Sequence, residues 1–166
     1  MKIRTFTIND LKLNIHKLNI ESSAESLILG AINYSQQGNI LRAIKYIEQA
    51  IIINPDNHYY HFLAGILYKD AGDFKQSESS FQKSINIKSN FSKAHDKLGE
   101  LYIANGYLEN AKLAINKALK IKPKLANSYK NLGNIEIAYG NLIKAKELTQ
   151  RAIQLNPNFA KAYNNL

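Results

Sequence analysis

Residues 92–125 read SKAHDKLGELYIANGYLENAKLAINKALKIKPKL, and this stretch decides the fold because its landmarks recur at one constant interval on either side. Gly106 belongs to an evenly spaced series with Gly38, Gly72 and Gly140, and Gly99 to one with Gly65 and Gly133. Pro55, Pro123 and Pro157 keep the same interval, with Ser89 standing at the one beat that lacks a proline. A fixed period of this length marks one supersecondary unit copied along the chain, with each copy shielding its neighbours. Numbered so that the proline is position 32, the units run 24–57, 58–91, 92–125 and 126–159, with a partial unit over 160–166. Residues 1–23 precede them as a non-repeat segment.

Within a unit the apolar residues keep helical spacing. Positions 4, 7, 8 and 11 share one face of a first helix, and positions 20, 24 and 27 share one face of a second. Position 8 reads Ala31, Gly65, Gly99, Gly133, and position 20 reads Ala43, Ser77, Ala111, Ala145. Small residues there let two helices approach closely, while bulk at positions 4, 11 and 24 fills the space between them. The glycine at position 15 suits a left-handed residue closing the first helix. Asn39, Asp73 and Asn141 follow it as candidate N-caps of the second helix, whereas Tyr107 cannot cap. The Asn-Pro runs at Asn54 and Asn156 are expected to end one second helix and cap the next first helix. The resulting expectation is all-α: antiparallel helix pairs stacked in series.

The small residue at 8, Tyr at 11 (Tyr34, Tyr68, Tyr102), Gly at 15, small residues at 20 and 27 and Pro at 32 resemble the tetratricopeptide repeat. That resemblance implies a right-handed superhelical solenoid whose concave side binds a protein or peptide. Departures are His61 and His95 at position 4, Ser77 and Ser84 for Ala, Ser89 for Pro, and Glu136 for Tyr. The units beginning Ala126-Asn127-Ser128-Tyr129 and Ala160-Lys161-Ala162-Tyr163 also resemble the repeats preceding the catalytic domain of O-linked N-acetylglucosamine transferase. The break at position 7 of the fifth unit raises an alternative: a substrate-recruiting portion of a larger glycosyltransferase- or sulfotransferase-type enzyme. The leading expectation is a non-catalytic interaction scaffold.

On the first helices, positions 2, 5, 6, 9 and 13 lie opposite the packing face and are expected to line the groove. In units one and two this face is apolar, with Ile28, Leu29 and Ile32, then Tyr59, Phe62, Leu63 and Ile66. An apolar face of this kind needs a cover, either the segment 1–23 folded over it, a partner peptide, or a second copy of the chain. Further along the face becomes polar, with Lys93 and Lys97, then Asn127, Lys130, Asn131 and Asn134, and Asn165 in the partial unit. A side-chain amide both donates and accepts, so Asn131 and Asn165, one full period apart, could hold a peptide backbone, as the transferase resemblance implies. Of the variant of the family that grips a terminal carboxylate, Lys130, Asn134 and Asn165 match the first three positions in one register, which needs a sixth unit to finish it. Begun at unit one, the pattern meets Ile28, Ile32 and Leu63 instead, and there Lys93 and Lys97 alone fit, so a working clamp is not expected.

Composition narrows the remaining classes. The net charge is +9, concentrated between Lys112 and Leu166, where 10 Lys or Arg meet two acids. Lysine outnumbers arginine 19 to 3; readers of phosphate and bases lean on arginine for bidentate geometry, so nucleic acid is not the expected partner. No apolar run reaches membrane-spanning length, no secretory leader is apparent, and the expected location is the cytoplasm. There is no cysteine, and His58 and His61 lack a third ligand, so neither a metal nor another cofactor is expected.

Overall fold

The computed structural model describes residues 8–158, with side chains from residue 22 onward. Among these residues there are eight helices and no strand: α1 (Ile8–Gln36), α2 (Ile40–Ile53), α3 (His58–Asp70), α4 (Phe74–Ile87), α5 (Ser92–Ala104), α6 (Leu108–Ile121), α7 (Ala126–Ala138) and α8 (Leu142–Leu155). Each helix packs foremost on its partner within a unit (α1 with α2, α3 with α4, α5 with α6, α7 with α8), and then on the next unit. The first helices also touch across units, α3 with α5 and α5 with α7, so they line the inner, concave side of a helical solenoid.

Within each pair a backbone-to-side-chain contact sets the spacing. A Cβ added at Gly65 would lie 2.6 Å from the Phe81 ring, and one at Gly99 would lie 2.5 Å from Ile115 Cγ1. Phe81 and Ile115 are wholly buried, and each such side chain contributes about 1.5–3 kcal/mol by leaving water. In unit two, Ser77 uses the same proximity differently: its hydroxyl donates to the Gly65 carbonyl at 2.7 Å. In the first unit the close approach shifts by one residue, to Gly30 against Tyr46.

The helix ends follow the expected chemistry with two corrections. Gly38, Gly72, Gly106 and Gly140 all have φ between 77° and 80°. At each, the next residue's N–H bonds back five residues, as Asp73 does to Tyr68 O at 2.9 Å, satisfying carbonyls the helix leaves open. Asn39 and Asp73 cap α2 and α4 through their side chains. Asn141 makes no such cap on α8; its amide donates instead to Glu136 Oε2 at 2.8 Å, drawn by a buried carboxylate. The cap of α3 is Asn57, which accepts from Tyr59 N at 2.9 Å, rather than the Asn-Pro-Asp residues themselves. Of the segment before residue 24, residues 1–7 lie outside the described residues. Residues 8–23 are the N-terminal part of α1, a single 29-residue helix about 43 Å long, so they run on from the first unit and do not fold back over its face.

Glu136 explains how the fourth unit dispenses with its tyrosine. In units two and three the position-11 hydroxyls, Tyr68 and Tyr102, donate to Glu48 and Glu78 of the preceding unit at 2.6 and 2.7 Å. Both phenols are pushed up to about 12, by burial first and then by the acceptor carboxylate. Glu136 reverses the polarity of this joint. It receives Lys112 of the preceding unit at 3.0 Å and Lys144 of its own at 3.1 Å. Tyr139, one turn on, takes over the phenol role by donating to Glu109 at 2.6 Å. Hydrogen bonds from Asn141 and then from the two lysines hold the Glu136 carboxyl down at about 2.

Substitutions at the close contacts and at the buried carboxylate test this packing. Gly65→Ala and Gly99→Ala should each destabilise the chain by about 1–3 kcal/mol in urea unfolding, because a fully buried side chain must move. A Cβ at Gly133 would meet nothing nearer than the Thr149 hydroxyl at 3.0 Å and the Ala145 carbonyl at 3.4 Å, so the helical gain of about 1 kcal/mol should leave Gly133→Ala close to neutral or more stable. Glu136 lies below its ordinary 4.5 in the folded state, so its contribution is complete above that value and fades as pH falls toward 2. Glu136→Gln should therefore lower the thermal midpoint at pH 7, with the gap to wild type closing between pH 4.5 and 2.

Candidate functional site

The inner face carries two adjoining concavities that share helix α3. The first is an apolar cleft of about 120 Å³ between α1 and α3, lined by Ala31, Ile32, Ser35, Leu63, Ile66 and Leu67 among others. The second is a cavity of about 320 Å³ whose floor includes Phe62 and Asp96 and whose border carries Lys93, Lys97, Lys124, Asn127 and Asn156. Phe62 and Ile66 are one turn apart on α3, which separates them by about 6 Å along the axis.

The sequence expectations divide on this geometry. Ile32 and Tyr59 are exposed, at 38% and 41%, and Ile66 is half-buried at the cleft. Lys93 and Asn127 are exposed and Lys97, Lys130 and Asn134 half-buried. Three assignments to an open face are corrected. Ile28 is buried in the core of the first two units, packed with Ala24, Ala31 and Tyr60. Phe62 is buried beside Phe81 and Phe91, with ring centroids at 6.0 and 5.1 Å, and reaches the site only as cavity floor. Asn131 is 2% exposed and its amide nitrogen has no partner. The common reason is that adjacent first helices touch, so residues treated as facing solvent on one helix face a neighbouring element instead. The burial of Asn131 removes it from a peptide-holding ladder. Asn165 lies outside the described residues.

The electrostatics of the polar cavity are mixed. Lys97 Nζ pairs with Glu100 Oε2 at 2.6 Å. Asp96 is buried and accepts from Ser128 Oγ at 2.5 Å, joining units three and four beneath the cavity. Burial pushes the Asp96 carboxyl above its usual range, opposed by the Ser128 hydroxyl. Nearby Glu100 adds to the rise, while Lys97 and Lys130 counter it. Sequence reading missed Lys124 and Asn156 because they sit in the loops after the second helices, outside the first-helix face. The available signal was their place beside Pro123 and Pro157.

The histidines have structural partners. His61 Nε2 meets the Pro55 carbonyl at 2.7 Å, and His95 Nε2 meets the Ser89 carbonyl at 2.9 Å. A histidine at position 4 thus ties α3 and α5 to the loops before them. His58 stacks edge-on against Phe91, with centroids 4.9 Å apart, and burial, then Lys88, pulls its pKa below the usual value. Among the described residues no three His, Cys, Asp or Glu side chains come together to hold a metal, and no helix is long and apolar enough to cross a membrane.

Stacked helix pairs with a lined inner face define a helical-repeat scaffold. The tetratricopeptide repeat model matches residues 24–57, 58–91 and 92–125, more than half the chain, and the chain belongs to that family. No curated protein matches it in sequence. Among solved structures it is similar to MamA, at 21% identity over 87% of this chain and 79% of that one, with a TM-score of 0.76. PilF of Pseudomonas aeruginosa aligns at 18% identity over 89% of this chain and 67% of that one, with a TM-score of 0.81. The first TPR of Spaghetti (RPAP3), solved bound to the HSP90 peptide SRMEEVD, aligns at 22% identity over 72% of this chain and 94% of that one, with a TM-score of 0.69. At these identities the likeness is one of fold.

Replacing either ring with one that cannot hydrogen bond gives a direct test of the histidine roles. His61→Phe and His95→Phe should each cost about 0.5–1.5 kcal/mol in urea unfolding, and zinc should leave the wild-type midpoint unchanged.

Proposed function

We infer that this chain is a protein-interaction scaffold that holds an extended segment of a partner protein in the groove lined by α1, α3, α5 and α7. The observation that carries the reading is the pairing, on one inner face, of an apolar cleft with a lysine-bordered cavity. Ligand sites of this type combine apolar contact for affinity with a few polar groups for orientation. The tetratricopeptide relative solved with an HSP90 peptide supports the mode of use. A second copy of the chain is a poorer occupant, since a +9 molecule would meet a lysine border with like charge. The glycosyltransferase- or sulfotransferase-type alternative rests on the break in the fifth unit; the burial of Asn131 weighs only against the asparagine ladder that the transferase resemblance implies.

The test is affinity capture with the intact chain, a groove variant carrying Ile32→Glu and Lys97→Glu, and an outer-face control, Lys83→Glu on α4. Proteins held by wild type and by the control should be lost with the groove variant. Equal retention by all three would place binding elsewhere and overturn the reading.

A further inference from the structure

We propose that the groove selects an internal segment in which a branched or long aliphatic side chain stands about two to four residues from an acidic side chain, the first entering the Ile32–Leu63–Ile66 cleft and the second the Lys93–Lys97–Lys124 cavity. This rests on the groove reading above and adds the chemistry of what is held.

The cleft comes first. Its lining is mainly aliphatic, with Ser35 and Gln36 as its polar members, and its volume of about 120 Å³ suits one side chain rather than a helix or a domain. Ile32 remains 38% exposed at its mouth, so there is apolar surface for an entering group to cover. Covering such surface yields about 25 cal/mol per Å², which favours a large aliphatic group over a small or polar one.

The cavity differs in kind. Lys93 and Lys124 are exposed and Lys97 is half-buried, all three bordering one space. Two carboxylates lie near them, but both are already engaged: Glu100 with Lys97, and Asp96, buried below, with Ser128. Lys93 and Lys124 therefore leave a positive excess at the rim. A ligand carboxylate meets charge-assisted donors there, and a ligand lysine or arginine meets repulsion. Asn127 and Asn156 on the same border add amides that can accept from or donate to a peptide backbone.

The spacing follows from the shared helix. Phe62 lies in one concavity and Ile66 in the other, about 6 Å apart along α3, and each concavity extends outward from α3 to a different neighbour, α1 or α5. An extended chain advances about 3.3 Å per residue, so two to four residues bridge the two anchor points. The occupant is an internal segment because the inner face runs on from α5 to α7, where Asn127 is exposed and Lys130 and Asn134 are half-buried, and because aliphatic residues line the other end, where a chain terminus would need polar partners.

Panning a displayed library of random twelve-residue segments, flanked on both sides, against the intact chain tests this without presuming a partner. The selected segments should be enriched in Asp or Glu two to four positions from Leu, Ile, Val or Met. Re-synthesised with capped ends, they should weaken at least tenfold on Lys93→Glu with Lys97→Glu, severalfold on Ile66→Ser, and progressively with added salt. Circular dichroism of each variant would confirm that it stays folded. Selected segments that depend on these groove residues but lack the acidic–aliphatic pairing would overturn the proposal and leave the groove reading standing. Segments indifferent to every groove substitution, or no enrichment at all, would overturn both.

Discussion

The close approach of two helices at a residue without a side chain is the constraint on which the rest of this molecule depends. Where Gly65 faces Phe81 and Gly99 faces Ile115, one helix supplies a bare backbone and the other a wholly buried side chain. Interiors are packed so densely that this distance admits little adjustment. Repeated from unit to unit, it fixes the spacing within each pair and so the angle at which the next pair is received. Curvature and groove are consequences of that local contact.

The joints between units tolerate more variety. Two are tied by a tyrosine hydroxyl donating to a glutamate of the preceding unit. The joint between units three and four carries a buried carboxylate facing two lysines, with a relocated tyrosine beside it. Asp96 and Ser128 add a second buried tie between the same two units, on the groove side. Polar groups of this kind are costly unless satisfied, and here each has its partner. That is how a chain can depart from the usual residue at position 11 without losing the stack.

The inner surface of this array changes character along its length. Aliphatic side chains dominate between α1 and α3, whereas lysines and asparagines border the space from α3 to α7. The gradient needs no special backbone; it is written on helices that are otherwise equivalent. A solenoid built by copying can thus acquire selectivity by altering a few outward positions per unit, while the residues that set the geometry stay as they are.

Legibility from sequence follows the range of the forces involved. Helix faces, glycine-closed ends and unit boundaries depend on neighbours within a few residues, so the repeat rhythm determined the helix pairs and the order in which they stack. Capping by Asn57 rather than the preceding Asn-Pro-Asp, and the diversion of Asn141 to Glu136, required knowing which polar groups compete for the same donor. The site shows the same division. The lysines and the exposed Ile32 and Tyr59 could be read from helical periodicity, but Ile28, Phe62 and Asn131 could not, because their burial comes from elements in contact across space. Lys124 and Asn156 join the cavity from loops that no helical period describes. The sequence by itself determined the repeating unit and the chemistry available to its inner face. Tertiary structure alone decided which of those side chains meet solvent, since exposure depends on how neighbouring units curve together and not on any residue's own periodicity.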